Sequence, residues 1–246
     1  MDQIEILLTF FVINLFITIN FDKIKIFSIA IDKPDKVRKF HKKPTALAGG
    51  IILIINIFLY FIFLNFNEVL LTNEILFKDI NEINFFVLSC FLIFFLGFID
   101  DKFNLKPLNK FLFLSLILFQ FMYFNKNLVV ETVQFSFYEN TIYLGNLSLV
   151  FTIFCFLVFI NAFNMFDGIN LQSCIYTLII LIYFVFLNHN SVLIWSLIIF
   201  ILLFIYLNHF NKSFLGDSGT LLISFILSFI FIKLFNEERI IYSDEI

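Results

Sequence analysis

The residues in this sequence with a capacity for chemistry are a few aspartates placed at the ends of long apolar runs. Two are adjacent: "FLGFIDDKFNLKP" sets Asp100, Asp101 and Lys102 directly after an uncharged run from Phe85 to Ile99. The others lie in "NAFNMFDGIN", which holds Asn161, Asn164 and Asp167, and in "FLGDSGT", which holds Asp217. Adjacent carboxylates repel each other, and a metal ion or a cationic partner relieves that repulsion. Magnesium takes oxygen ligands, keeps several waters and bridges phosphate oxygens, so carboxylates beside basic residues suit Mg²⁺ and a phosphorylated ligand. Basic residues are at hand in "DKPDKVRKFHKKPTALAGG", with Lys36, Arg38, Lys39, His41, Lys42 and Lys43. The Gly49–Gly50 pair that closes this stretch would let a backbone approach a ligand closely.

Each feature also has an ordinary explanation. Asp101 and Asp217 would serve as N-caps of the helices that follow them. Asp167-Gly168 would form a common turn. The basic stretch is what any cytoplasmic loop of a membrane protein looks like, and His41 alone would be an interfacial histidine. What favours a site is that three acidic motifs fall on one face once the spans are drawn.

Those spans follow from composition. Of 246 residues, 61% are hydrophobic and 41 are Phe, more apolar surface than one water-soluble core can hide. A helix needs about 20 mostly apolar residues to cross the hydrocarbon layer. Eight segments qualify, at 4–21, 47–65, 83–99, 108–125, 147–166, 171–188, 191–208 and 219–235. The first is followed by no small-residue cleavage site and reads as a retained helix. The stretch 22–32 would extend that helix or lie along the interface. Lys33, Lys36, Arg38, Lys39, Lys42, Lys43, Lys102, Lys106, Lys110 and Lys212 all fall on one side. The positive-inside rule makes that side cytoplasmic and puts the N-terminus outside. Most Glu residues lie on the other side, where "LVVETVQFSFYENTIYL" alternates polar and apolar residues as a short hairpin does. Cys90, Cys155 and Cys174 form no disulfide framework and read as small buried apolar residues. The expected fold is an all-α polytopic membrane protein with about eight transmembrane helices and a short external β-hairpin. It forms one membrane domain, 1–246, with a cytoplasmic basic loop at 32–46 and the hairpin at 126–146.

Taken in order, the motifs resemble the polyprenyl-phosphate N-acetylhexosamine-1-phosphate transferase superfamily (glycosyltransferase family 4). The matching pieces are "RKFHKKPTALAGGI" after the first helix, "GFIDDKFNLKPLNKF" after the third, "NAFNMFDGIN" after the fifth and "FLGDSGT" after the seventh. The basic loop is closer to the undecaprenyl-phosphate N-acetylglucosamine-1-phosphate transferase branch than to the muramoyl-pentapeptide one. The resemblance implies transfer of a sugar 1-phosphate from a UDP-N-acetylhexosamine to a polyprenyl (undecaprenyl) phosphate, with release of UMP. The reaction would take place on the cytoplasmic leaflet of the inner (plasma) membrane, in cell-wall or lipopolysaccharide synthesis. It implies that Asp217 ligates Mg²⁺ and that Asp100 is the base or hydrogen-bond partner of the lipid phosphate. Asp101 would shape the pair's charge. Asn161, Asn164 and Asp167 would surround the nucleotide and sugar, and Lys43, Arg38 and His41 would contact phosphate or uridine. No nucleic-acid partner is expected, and a homodimer is left open.

The chain departs from the family pattern in three places. Where members often read D-G-x-D-G, Asn170 and Leu171 stand for the second Asp and Gly. Ala46 stands where Pro is common. Members also usually continue into further helices and a His-rich loop, so the chain is expected to be truncated at its C-terminus; His41, His189 and His209 form no such cluster. Two other readings stay open: an impaired remnant or lipid-carrier-binding scaffold, and an ion-coupled transporter using its intramembrane acids.

Overall fold

The computed structural model describes residues 3–25, 31–32, 44–67, 74–137, 140–169 and 171–237. The expected apolar segments are all helices: α1 (Gln3–Ile19), α2 (Gly49–Phe66), α3 (Ile80–Phe103), α4 (Pro107–Phe124), α5 (Ser148–Phe166), α6 (Gln172–Phe186), α7 (Val192–His209) and α8 (Gly216–Asn236). Six of them are long and apolar enough to cross a membrane, while α1 and α6 are apolar helices of 17 and 15 residues. This is a polytopic, all-α membrane architecture. Within residues 22–32, Phe21–Ile24 forms one helical turn, and Ile31–Asp32 joins a small sheet rather than extending α1.

Helix α8 is the axis of the bundle. Its span is 94% buried inside the protein, against 28% for α4 and for the span that ends in α5, whose remaining faces are left to lipid. It packs against α2, α3 and α5, while α7 gathers α1, α2 and α6. Small residues let α8 sit there. Ser218, Gly219, Thr220, Ser224 and Ser228 are buried along it, and small side chains allow backbones to approach closely in lipid. The hydroxyls need no outside partner, because Ser224 donates to the Thr220 carbonyl at 2.7 Å and Ser228 to that of Ser224 at 2.8 Å. Further along, Phe225 and Phe229 meet Phe86 of α3 and Phe121 of α4 in one aromatic cluster.

The two ends of the bundle are fastened differently. At the end where α3 begins and α8 finishes, the buried Lys233 ammonium pairs with the Glu82 carboxylate. The other Glu82 oxygen accepts from the Lys78 amide at 2.8 Å, and the Asp79 side chain caps α3 by accepting from the Glu82 amide. The arrangement resembles a capping box, with the Glu82 side chain reaching the amide one residue before the N-cap. Near this end β3 (Thr132–Val133) and β4 (Ile142–Tyr143) pair antiparallel, so the expected hairpin exists, with only two paired residues in each strand. At the other end a three-stranded sheet forms, in the order β1 (Ile31–Asp32), β2 (Thr45–Leu47), β5 (Ser213–Phe214). β1 and β2 pair antiparallel and so bring together the two feet of the basic stretch. β2 pairs parallel with β5, which leads directly into α8.

Candidate active site

The sequence motifs meet at the end of the bundle where α3 and α5 finish and α2, α4 and α8 start. Three glycines set the spacing. A Cβ on Gly97 of α3 would lie 2.5 Å from the Ser218 Cα and 2.7 Å from the Asp217 carbonyl oxygen. One on Gly50 of α2 would lie 2.7 Å from the Gly219 amide nitrogen, and the Gly50 amide donates to the Leu215 carbonyl at 3.3 Å. The Gly49–Gly50 pair, expected to admit a ligand, therefore admits α8 instead. No side chain larger than hydrogen fits between these backbones, and their contact holds Asp217 next to the end of α3.

The adjacent aspartates have separate jobs. Both Asp101 oxygens face the first turn of α8: Oδ1 accepts from the Asp217 amide at 2.7 Å, and Oδ2 accepts from the Ser218 amide at 3.0 Å and its hydroxyl at 2.8 Å. A carboxylate here satisfies amides that a helix start leaves unpaired and meets the positive end of the helix dipole. Asp101 is thus a cap, though for α8 and not for the following helix α4, whose N-cap is Lys106 with no side-chain bond. The sequence reading grouped Asp101 with Asp100 as a catalytic pair; here both Asp101 oxygens accept from protein donors. The Gly216 φ of +71°, in the region that favours glycine, lets the chain turn into α8 against that carboxylate.

Asp100 faces the other way. Its Oδ1 accepts from the Leu105 amide at 2.7 Å, which closes the turn between α3 and α4. Its Oδ2 lies 2.6 Å from the Lys110 ammonium, and the same ammonium is 3.5 Å from Asp217 Oδ1. Lys110 is a cation set between Asp100 and Asp217, where it relieves the repulsion of those two carboxylates. In the sequence it was one of many lysines on its side of the chain. The signal was its place one turn into a helix opened by Pro107, only a short turn beyond Asp100. Asp217 is the most open of the three side chains, at 36% exposure against 8% for Asp100 and 11% for Lys110.

The fifth-helix motif completes the group. Asn164 Oδ1 accepts from the Thr220 hydroxyl at 2.5 Å, tying α5 to α8 one turn beyond Asp217. Asp167 follows the last residue of α5 and accepts from the Ser173 hydroxyl at 2.6 Å. Burial raises its carboxyl above the ordinary carboxylate range; the Ser173 hydrogen bond opposes that and the nearby Asp217 charge adds to it. Asn161 donates to the Leu157 carbonyl of its own helix at 2.7 Å, so its oxygen stays available. Arg38, His41, Lys43 and Asn170 lie outside the described residues, although the strands bordering the basic stretch reach β5 next to Gly216 and Asp217. Ser173, Ser218 and Thr220 were not singled out in the sequence because nothing distinguishes one hydroxyl from another until its partner is placed.

Comparison with protein families identifies the lineage of this arrangement. The sequence model of glycosyl transferase family 4 matches residues 83–235, from α3 to the last turn of α8 and well over half of the chain. The chain belongs to glycosyl transferase family 4. Comparison with curated proteins gives no match. Membership makes it a phospho-sugar transferase of the kind that passes a sugar 1-phosphate to a polyprenyl phosphate. The matched region contains Asp100, Asp101, Lys110, Asp167 and Asp217.

The donor set of this family 4 transferase also bears on metal binding. Among the described residues, no three His, Cys, Asp or Glu side chains lie close enough to cage an ion. Magnesium does not require a cage: it is commonly held by one or two carboxylates, several waters and the phosphates of its substrate. A half-buried Asp217, the most open carboxylate of the group, with Asp100, Asp167 and Asn164 near it, fits that mode.

Proposed function

We propose that this transferase moves N-acetylhexosamine 1-phosphate from a UDP-sugar to a polyprenyl phosphate of the undecaprenyl type, for envelope glycan synthesis. The reaction would take place at the cytoplasmic face of the inner membrane, since the lysines near this end of the bundle fall on the positive-inside side. The observation that carries the reading is the convergence of Asp100, Lys110 and Asp217 where three helices begin. Charge handling is concentrated at the lipid boundary, where a polyprenyl phosphate presents its headgroup. An ion-coupled carrier would instead place its acids near the midplane.

In this reading an oxygen of the lipid phosphate attacks the β-phosphorus of the UDP-sugar. The bond from that phosphorus to the bridging oxygen breaks, and UMP leaves with the electron pair. Asp217 would hold a Mg²⁺, which supplies charge neutralisation at the diphosphate. Asp100 orients the lipid phosphate and accepts its proton where it carries one. Lys110, already between two carboxylates, offers its ammonium to the phosphate oxygens. Asn161, Asn164 and Asp167 would border the sugar nucleotide, with Arg38, His41 and Lys43 of the basic stretch as further candidates for contact with phosphate or uridine. Such a site works by position and electrostatics, the usual sources of rate in phosphoryl transfer.

The test is conversion of UDP-N-acetylglucosamine and undecaprenyl phosphate to UMP and lipid-linked sugar diphosphate by the purified protein, with Mg²⁺ and with chelator. Asp217→Asn should sharply reduce turnover even in saturating Mg²⁺. Asp100→Asn should abolish transfer while nucleotide binding, followed by calorimetry, stays near the unmutated value. No product under any of these conditions would reject the reading, and an unchanged rate in Asp217→Asn would remove it as the metal-binding residue.

A further inference from the structure

Leu171 is placed oddly. It precedes α6 with a φ of +72°, in the left-handed region. The other non-glycine residues found there among the described ones are Asn104, Asn188 and Asn211, of the type that tolerates it. A leucine in that conformation persists only where its surroundings determine it.

What holds Leu171 is one side chain from another helix. Asn208, in the last turn of α7 and 5% exposed, accepts from the Leu171 amide on Oδ1 at 2.7 Å. Its Nδ2 donates to the Ser213 carbonyl of β5 at 3.2 Å. The Ser213 hydroxyl, fully buried, in turn accepts from the Ala48 amide at 3.3 Å and lies 3.3 Å from the Ala46 carbonyl of β2. One amide side chain therefore joins the loop that begins at Asp167 to the strand leading into Asp217. Through Ser213 it also reaches the strand that ends the basic stretch.

We propose that Asn208 is a positioning residue. It ties the Leu171 amide to the strand that leads into α8 and so holds a leucine in a backbone conformation that glycine adopts without steric strain. The inference rests on the transferase reading for its kinetic consequence and on the geometry alone for its structural one.

The experiment compares Asn208→Ala, Leu171→Gly and the double variant in the intact detergent-solubilised protein. Amide exchange of the segment around Leu171 is followed together with KM for UDP-N-acetylglucosamine and kcat. In Asn208→Ala, exchange at that segment should rise and donor KM should increase roughly tenfold, with kcat at saturation within about twofold, as expected for loss of one buried hydrogen-bond pair. Adding Leu171→Gly should recover most of the donor KM, because glycine adopts φ near +70° without the steric cost a leucine bears there. Unchanged exchange in Asn208→Ala would overturn the proposal. So would an activity loss that Leu171→Gly fails to reverse, since that would make Asn208 a general structural residue or a direct ligand contact. If the unmutated protein makes no product while exchange responds as described, the tie stands and the transferase reading falls.

Discussion

Replacing Asp101 separates its capping role from a chemical one. Asp101→Ala removes an acceptor from three donors in the first turn of α8: the amides of Asp217 and Ser218 and the Ser218 hydroxyl. Ser218 is fully buried, so its two donors gain little water in exchange. A buried donor left without a partner costs about 1–3 kcal/mol, and loss of a helix cap about 1 kcal/mol. The Asp217 amide, on a more open residue, recovers part of its hydration. Together these give a destabilisation of about 2–4 kcal/mol. Turnover should fall further than stability, because a displacement of about 1 Å at a reacting group costs on the order of a hundredfold, and the Asp217 backbone is itself one of the groups released. Asp101→Asn keeps one acceptor and offers its Nδ2 to the Ser218 hydroxyl, so it should fall between Asp and Ala in both properties. The assay pairs the thermal unfolding midpoint in detergent with turnover across a Mg²⁺ titration, where Asp101→Ala should need more Mg²⁺ for half-saturation. Wild-type stability with abolished turnover and an unmoved Mg²⁺ requirement would refute the capping argument and return Asp101 to the chemistry.

Two further outcomes follow from the same packing and burial. Gly97→Ala would place a methyl 2.5–2.7 Å from backbone atoms of Asp217 and Ser218, which cannot swing aside. It should cost about 1–3 kcal/mol by overpacking and push α8 from α3, lowering transfer on the order of a hundredfold; a variant with normal kinetics would show that this contact does not place Asp217. Glu74 is 8% exposed at the end of the bundle away from the site, near Tyr60, Ser191 and the Leu76 and Val192 backbone, whose polar groups only partly offset its burial. Burial raises its carboxyl above the ordinary range. Between the unfolded and the raised folded value the native state holds the extra proton, so this group's contribution to stability declines as pH rises through that window and stays lost above it. Glu74→Gln should therefore be more stable than the unmutated protein at neutral pH, should flatten that decline and should leave transfer intact, as followed by the unfolding midpoint across pH; an equal slope in both proteins would show that Glu74 does not titrate there.

The sequence by itself determined the membrane class, the helical segments and the motifs at Asp100, Asp167 and Asp217 that lie within the family match. These are properties of local composition: an apolar run long enough to cross the bilayer must be helical, since lipid leaves its backbone polar groups no other partner. It also marked Asp100, Asp167 and Asp217 as worth attention, because a carboxylate at the end of such a run is costly. What only the tertiary structure decided is how labour is divided among them. Asp100 and Asp101 are neighbours in sequence, yet successive helix positions point about 100° apart, so one meets Lys110 while the other caps α8 from a neighbouring helix. The Gly49–Gly50 pair read as room for a ligand and proved to be room for a helix, because a glycine in sequence does not say which backbone approaches it. Lys110, Ser218, Thr220 and Asn208 were not distinguishable as site residues by type or spacing. Their significance lies in partners from other segments of the chain, and a hydrogen bond exists only when folding has placed both of its ends.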